Sequence, residues 1–278
     1  MEPKVVSDLI FALNSCGGKE IFLNENARNF CENHDEFEIF NFEQKVDLIF
    51  SLGGDGRILK TVRNLKYFST AIFGINAGHL GFLSEIPPTD LPRVCGELFA
   101  GKFSVDSRML LRAEVFRAGK VISEFRVLNE VVVGQSSVAR LADLPVKIDG
   151  APIANFRADG LICATPTGST AHSLSAGGPI LHPKTEAIIL TPIAPHAFSQ
   201  KPIVLPPEKK IKIEPKHENR EEIVLTADGQ IFEKLEPGDE IQISKFDQKV
   251  KFLRLESESF FETLRSKLGW GERFCGKG

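Results

Sequence analysis

The chain has few cysteines and no close pair among them: Cys16, Cys31, Cys95, Cys163 and Cys275 are odd in number and scattered over 278 residues. That spacing excludes zinc knuckles and redox dithiols and reads as a set of reduced, intracellular thiols. An excess of positive charge is also lacking, since 34 basic and 37 acidic residues leave a formal net charge of −3. No global field therefore advertises nucleic acid or an anionic membrane. Nowhere does an apolar run approach the roughly 20 residues of a membrane span. The opening MEPKVVSDLIFALNSC carries acidic residues and lacks the long apolar core of a leader. A cytoplasmic protein is expected, with neither membrane nor nucleic acid as a partner. Internal repeats and low-complexity linkers are absent too. What is present is an ordinary 42% of hydrophobic residues, enough in a chain of this length for two modest domains.

Up to about residue 97, strand-like and helix-like runs alternate. Val6, Leu9, Ile10 and Leu13 of VVSDLIFAL share one helical face, KEIFLN is extended, and KVDLIFSL is the nearly continuous apolar run of a strand buried on both sides. Ile58, Leu59, Val62 and Leu65 then recur at helical spacing before the next parallel strand, TAIFGIN. From about residue 108 the period falls to two, with turns near Gly119 and at Asp149-Gly150, and the β-like runs AIILTPI, KPIVL, KIKIEP, EIVLTADG, DEIQISKF and VKFLRLE, separated by Pro and Gly signals, continue to about residue 255. The charged stretch PEKKIKIEPKHENREE reads as a solvated hairpin. ESFFETLRSKLGW returns to helical spacing through Phe260, Phe261, Leu264 and Leu268. The expected fold is α/β plus all-β. An N-terminal open parallel α/β, Rossmann-like domain (residues 1–98 and 256–278) accompanies a C-terminal β-rich, sandwich-like domain (99–255), and the C-terminal helix returns to the first domain.

SLGGDGRILK, residues 51–60, leaves a strand through Gly53-Gly54-Asp55-Gly56 and enters a helix. Backbone N–H groups and the positive helix end attract phosphate oxygens there, and the missing side chains permit close approach. Gly53, Gly54 and Arg57 are accordingly phosphate-binding candidates, although Arg57 reads equally as a solvated arginine. Asp55 has two readings. As an N-cap it merely closes the helix. As a functional group it accepts a proton from, or orients, a hydroxyl that attacks a phosphoryl group.

GINAGHLGFLSE, residues 74–85, follows the next strand and puts a second flexible loop at the same carboxyl edge, where open α/β sheets bind ligands. His79 in that loop is a phosphate-binding candidate, or a capping or packing residue. Asn129 and Glu130 of LNEVVVG offer an amide and a carboxylate for ribose hydroxyls and base nitrogens, or a plain strand entry. FRADGLICATPTGSTAHSLSAGGPILHP, residues 156–183, holds Arg157, Asp159 and the hydroxyl-rich turn from Thr165 to Thr170, a nucleotide-binding loop or a polar β-turn.

GGDG, GINAGHLGFL, NEVVVG, RADGLICATPTGSTAHSLSAGGPILHP, LTPIAPHAFSQKPIVLP and LTADGQ follow one another between about residues 46 and 230. In that order they resemble the NAD kinase family, of bacterial type. The resemblance implies an enzyme that transfers the terminal phosphate of ATP to the adenosine-ribose 2′-hydroxyl of NAD, with NAD as substrate and Mg2+ or another divalent metal accompanying ATP. It further implies a homotetramer or homodimer. Asp55 resembles the catalytic aspartate facing the 2′-hydroxyl, with Gly56 beside it in the NAD site. Asn129 and Glu130 resemble the pair that holds the adenosine half, and Thr170 and Ala171 match residues lining the adenine site. Asp159 and Ser175 resemble nicotinamide-side contacts, and Arg157 stands where it approaches the 2′-phosphate or a neighbouring subunit. No residue is assigned to metal, because carboxylates, phosphates and waters suffice for magnesium. Some relatives use inorganic polyphosphate, and no residue decides between the donors.

Three features depart from the family pattern. Arg57 stands where many relatives have Thr or Ser, with a charge that opposes the helix dipole unless an anion lies nearby. His172-Ser173 replace the common Tyr-Asn, keeping a flat ring at the adenine side. Relatives also begin with a short strand and a glycine-containing loop, whereas this chain starts almost at VVSDLI, so its parallel sheet is expected to be short of a member. One alternative is a lipid kinase of the diacylglycerol or sphingosine kinase type, which shares the glycine turn and two-domain plan. Against it stand the Asn129-Glu130 and Thr165–Thr170 segments as a set, and it would need an apolar acyl groove or membrane-facing patch. A second alternative is a non-catalytic dinucleotide-binding regulator, against which the retained Asp55 argues.

Overall fold

Apolar spacing shapes the longer elements of the first unit in a computed structural model, which describes residues 3–18, 20–31, 34–76, 81–84, 90–136, 141–217, 222–255 and 260–271. The chain divides into one unit formed by Met1–Asp106 with Lys251–Gly278 and another formed by Ser107–Val250. In the first, α1 (Pro3–Ser15) buries Val5, Val6, Leu9 and Ala12 along one face. The extended KEIFLN segment shrinks to β1 (Phe22–Leu23), followed by α2 (Glu25–Arg28), whose cap Asn24 accepts the Ala27 N–H. The short β2 (Glu38–Ile39) runs parallel to β1. β3 (Leu48–Leu52) and β4 (Ala71–Ile75) pair in parallel, and α3 (Asp55–Asn64) connects them with Ile58, Leu59 and Val62 buried. Leu91, Val94, Cys95 and Leu98 of α4 (Leu91–Phe99) join α1, Phe73 and Ile75 in one core.

The second unit is antiparallel. β5 (Ser104–Arg117) and β6 (Lys120–Val127) form a hairpin about Ala118-Gly119, and β7 (Glu130–Gln135) follows. β8 (Ala142–Ile148) and β9 (Ala151–Ala158) turn at Asp149-Gly150. Then come β10 (Gly160–Ala164), α5 (His172–Ser175), β11 (Ile188–Ile193) and β12 (Ile203–Leu205). β13 (Ile211–Ile213), β14 (Ile223–Ala227), β15 (Ile231–Lys234) and β16 (Glu240–Arg254) complete it. One sheet has the order β12-β11-β10-β7-β14-β15, and the other joins β16, β13, β8 and β9 with the β5–β6 hairpin. Val131, Val133, Leu161 and Leu190 of the first sheet share a core with Leu111, Leu144, Ile211 and Ile243 of the second, the packing of a sandwich. Each such fully buried side chain contributes about 1.5–3 kcal/mol.

The chain leaves the second unit along β16, and in the first unit Lys251 and Phe252 pair in parallel with Ala71 and Ile72 of β4. The closing α6 (Phe260–Leu268) belongs to the first unit, with Leu264 buried and the Lys267 ammonium 5.6 Å from the Phe82 ring. The α/β plus β-rich architecture and the returning helix are therefore as expected. Two local expectations are corrected. KIKIEP is a strand, as its β pattern suggests, but not a solvated one: Ile211 and Ile213 are buried between β8 and β16, and alternation turns only the charged residues outward. DEIQISKF and VKFLRLE are one strand of 15 residues, not two. Among the described residues β3 pairs on one side only, and a cavity of about 950 Å3 lies beside it, lined by Leu9, Leu13, Phe22, Leu48 and Phe50. No described helix is long and apolar enough to cross a membrane.

Candidate functional site

In the first unit the N-cap of α3 is Gly54, so Asp55 is the first helical residue. Its carboxylate reaches instead to the loop after β4. Asp55 Oδ2 accepts the Phe82 N–H at 2.8 Å, and Oδ1 accepts those of Leu83 and Ser84 at 3.2 and 3.3 Å. Ser84 Oγ stands 3.5 Å from Oδ1 and accepts the Gly81 N–H at 3.1 Å. The loop comes so close that a Cβ on Gly81 would sit 1.8 Å from Asp55 Oδ1, which restricts the position to glycine. The two glycine segments singled out in the sequence thus meet at one half-buried carboxylate. Gly54, Gly56 and Arg57 are exposed, and among the described residues nothing lies within 4 Å of a Cβ built on Gly54, so none of them closes that side of the turn. Arg57 folds back over buried Gly53. His79 lies outside the described residues.

In the second unit β10 is buried throughout, with Leu161 and Cys163 in the sandwich core. Ile162 and Ala164 pack on its other side with Ala176 and Leu181. The loop leaving β10 is tied to the segment entering β7. Thr165 N–H donates to Asn129 O at 2.8 Å, and the Thr165 hydroxyl donates to Leu128 O at 2.5 Å while accepting the Gly168 N–H at 3.1 Å. A Cβ on Gly168 would lie 2.2 Å from Asn129 O, so the two backbones are in direct contact. Ser169 Oγ donates to Pro166 O at 2.7 Å and accepts the Leu181 N–H at 3.0 Å. On this pinned loop Thr170 and Ala171 are half-buried, as is Asn129, while His172 and Ser175 are exposed.

Asp228 organises this site, and sequence reasoning missed it. Its carboxylate accepts the N–H groups of Leu128, Asn129 and Glu130 at 3.1, 2.7 and 3.2 Å, and its own N–H donates to Glu130 O at 2.9 Å. Its positive φ of 50°, followed by Gly229 at 61°, makes the tight β14–β15 turn that the Asp-Gly pair in LTADGQ signals. Glu130 is 5% exposed, and burial, with the Asp228 charge second, pushes its carboxyl up to about 8 against the opposing pull of a His172 backbone hydrogen bond. Among the described residues Glu130 Oε2 has no hydrogen-bond partner.

Arg157 and Asp159 are exposed and are not gathered into this group. Glu130 pairs with Ala164 and Gly134 with Gly160, so Asp159 stands at the far end of β10. Four residue steps along that strand amount to about 13 Å. The described residues hold no cluster of three or more His, Cys, Asp or Glu side chains able to bind a metal.

Comparison with known proteins covers both halves of the chain. Residues 18–103 match the family model of the ATP-NAD kinase N-terminal domain, and residues 128–255 match that of the ATP-NAD kinase C-terminal domain. The NAD kinase of Syntrophotalea carbinolica is 41% identical over 257 residues, 92% of this chain and 90% of that one. The NAD kinase of Citrifermentans bemidjiense is 44% identical over 228 residues, 82% and 79% of the two chains. Among solved structures, yeast NADH kinase complexed with NADH superposes with a TM-score of 0.88 at 25% identity, covering 99% of this chain and 86% of that one. An NAD kinase from Archaeoglobus fulgidus in complex with ATP gives a TM-score of 0.70 at 29% identity, covering 95% and 94%. With its fold, both domain matches and relatives this similar over most of its length, the chain belongs to the NAD kinase family and is a phosphotransferase.

Proposed function

We propose that the chain phosphorylates the adenosine-ribose 2′-hydroxyl of NAD with the terminal phosphate of ATP, and that Asp55 accepts or orients the proton of that hydroxyl. The observation carrying this reading is the Asp55 carboxylate, held by three backbone N–H groups at the mouth of an open glycine turn. Aim matters more than basicity here, because phosphoryl transfer proceeds through a loose transition state in which positioning and charge neutralisation dominate. Gly53, Gly54, Arg57 and His79 are the phosphate-binding residues of this reading, and Gly56 borders the dinucleotide.

Asn129 and Glu130 hold the adenosine half, while Thr170 and Ala171 line the adenine with His172 as a flat ring beside it. Ser175 and Asp159 take the nicotinamide side. Exposed Arg157 approaches the 2′-phosphate or a neighbouring subunit of a homotetramer or homodimer. A divalent ion such as magnesium arrives with ATP and neutralises phosphate charge. No residue is assigned to that ion, because carboxylates, phosphates and waters suffice for magnesium. A cytoplasmic location completes the reading, which involves neither nucleic acid nor a membrane. Division of labour follows the boundaries near residues 98 and 255 expected from sequence.

The test is NADP formation from NAD, ATP and magnesium by the wild-type chain and by Asp55→Asn. Asparagine keeps the shape but cannot take a proton, so turnover should fall by at least about two orders of magnitude while NAD binding by calorimetry is retained. Near-wild-type turnover in Asp55→Asn would remove the base role. Robust NAD binding without product from the wild-type chain would favour the non-catalytic regulator.

A further inference from the structure

One buried cation beneath the proposed nucleotide loop has no part in the reaction as described. Arg108 lies on β5, where strand alternation puts it on the face opposite Met109, Leu111 and Ala113 of the sandwich core. It is nonetheless only 6% exposed, and its Nη1 donates to Thr167 Oγ1 at 3.2 Å, with Thr167 itself 7% exposed. Removing a guanidinium from water is costly, and its fork of donors makes it a directional anchor.

The place where that donor lands is informative. Thr165 fastens the start of the loop to Leu128 and Asn129, and Ser169 fastens its end to Pro166 and Leu181. Thr167 is the midpoint, and its side-chain tie runs to Arg108, 59 residues earlier in the chain. Thr167 O in turn accepts the Thr170 hydroxyl at 3.3 Å, so the path from the buried cation leads to a residue proposed to line the adenine. We infer that Arg108 is a positioning residue that acts through Thr167 to hold the Thr165–Thr170 loop in the shape that receives the dinucleotide. This rests on the reading of that loop as part of the NAD site. Arg108 does not touch the reacting atoms, so its effect belongs in NAD affinity, with the chemical step left largely intact.

The test is steady-state kinetics on the full chain with Arg108→Gln, Arg108→Lys, Thr167→Val and the double variant Arg108→Gln/Thr167→Val. Arg108→Gln and Thr167→Val should each raise the KM for NAD about tenfold, with kcat within about threefold of wild type. The double variant should be no worse than the poorer single one, because both remove the same tie. Arg108→Lys, which keeps a charged donor, should recover part of the loss. Should Arg108→Gln fail to fold, Thr167→Val still carries the test, since it deletes only the acceptor at nearly constant volume. Additive effects, an unchanged KM for NAD in Thr167→Val, or a fall in kcat and thermal stability without a selective rise in KM would overturn the inference. Asn129→Ala is measured alongside: if it weakens NAD binding while Arg108 and Thr167 variants do not, only this inference fails. If none of them does, the placement of NAD at the loop fails.

Discussion

Gly81→Ala is the most incisive perturbation of the proposed base, because it moves Asp55 without altering it. A Cβ at position 81 would stand 1.8 Å from Asp55 Oδ1, 2.6 Å from Asp55 Cγ and 2.6 Å from Ser84 Oγ. Ordinary van der Waals spacing requires the carboxylate to retreat by about 1.6 Å or the loop to lift by as much. Either shift breaks the bonds of 2.8, 3.2 and 3.3 Å from Phe82, Leu83 and Ser84 that aim the carboxylate. A misplacement of about 1 Å at a reacting group costs on the order of 10²-fold in rate. Turnover should therefore drop about 10²-fold, approaching Asp55→Asn, while the KM for NAD changes by less than about threefold.

Initial-rate NADP formation is the assay, with Gly96→Ala in α4 as the matched control, because a Cβ there meets nothing within 4 Å among the described residues. That control should be active and slightly more stable, as alanine loses less conformational freedom than glycine in a helix. If Gly81→Ala folds with a wild-type melting temperature and keeps kcat within about threefold, the argument that the 82–84 loop sets the working position of Asp55 is refuted.

Two further outcomes follow from burial. The raised value of about 8 at Glu130 exceeds the roughly 4.3 of a free glutamate. Between those pH values the folded chain keeps a proton that the unfolded chain has released, so stability falls as pH rises through this window. Glu130→Gln should flatten the melting profile between pH 5 and pH 8, gaining steadily on wild type through that range and no further above it; parallel profiles would contradict a protonated Glu130. Burial also pushes the Cys163 thiol up to about 12, and burial with Cys16 nearby pushes Cys95 up to about 11, whereas Cys16 and Cys31 are partly exposed. A thiol reagent on the native chain should therefore label Cys16 and Cys31 but leave Cys95 and Cys163 until denaturation, as read by peptide mass spectrometry; native labelling of Cys163 would disprove the closed core around β10.

What was legible in the sequence is what local periodicity encodes. The helical faces of α1 and α3, the strands β3 and β4 and the switch to a two-residue period all depend on neighbours a few positions apart. The Gly53–Gly56 turn was visible for the same reason. KIKIEP was legible as a strand but was placed in solvent on account of its lysines, although its isoleucines alternate into the core. β16 was cut in two because its middle turns Asp247, Gln248 and Lys249 outward while the backbone runs on as one strand. The site residues were found by composition and motif, yet their scaffolding was not. Asp228 joins residues about 100 positions earlier, Arg108 one 59 later, and Asp55 a loop 27 to 29 later. Nothing in a local pattern specifies such contacts.

The two units solve the same problem from opposite ends. In the first, three successive backbone N–H groups, Phe82 to Ser84, converge on the carboxylate of Asp55, so the backbone holds the group proposed to react. In the second, three successive N–H groups, Leu128 to Glu130, converge on the carboxylate of Asp228, so the side chain holds the backbone segment proposed to bind. Both arrangements satisfy donors that a strand entry or loop otherwise leaves unpaired, and both fix direction before a ligand arrives. They differ in what a single substitution removes. Replacing Asp55, a half-buried carboxylate, deletes the reacting group and leaves a gap that water can enter from the open turn, whereas replacing Asp228, itself only 5% exposed, strands three donors in a place water does not reach. Asp228→Ala should therefore cost more stability than Asp55→Ala, by about 1–3 kcal/mol for each donor left buried without a partner. Denaturant midpoints of the two variants decide the matter: an equal loss would mean that Asp228 is as dispensable to the fold as a solvent-facing carboxylate, and that the Asn129-Glu130 segment is held by the strand ladder alone.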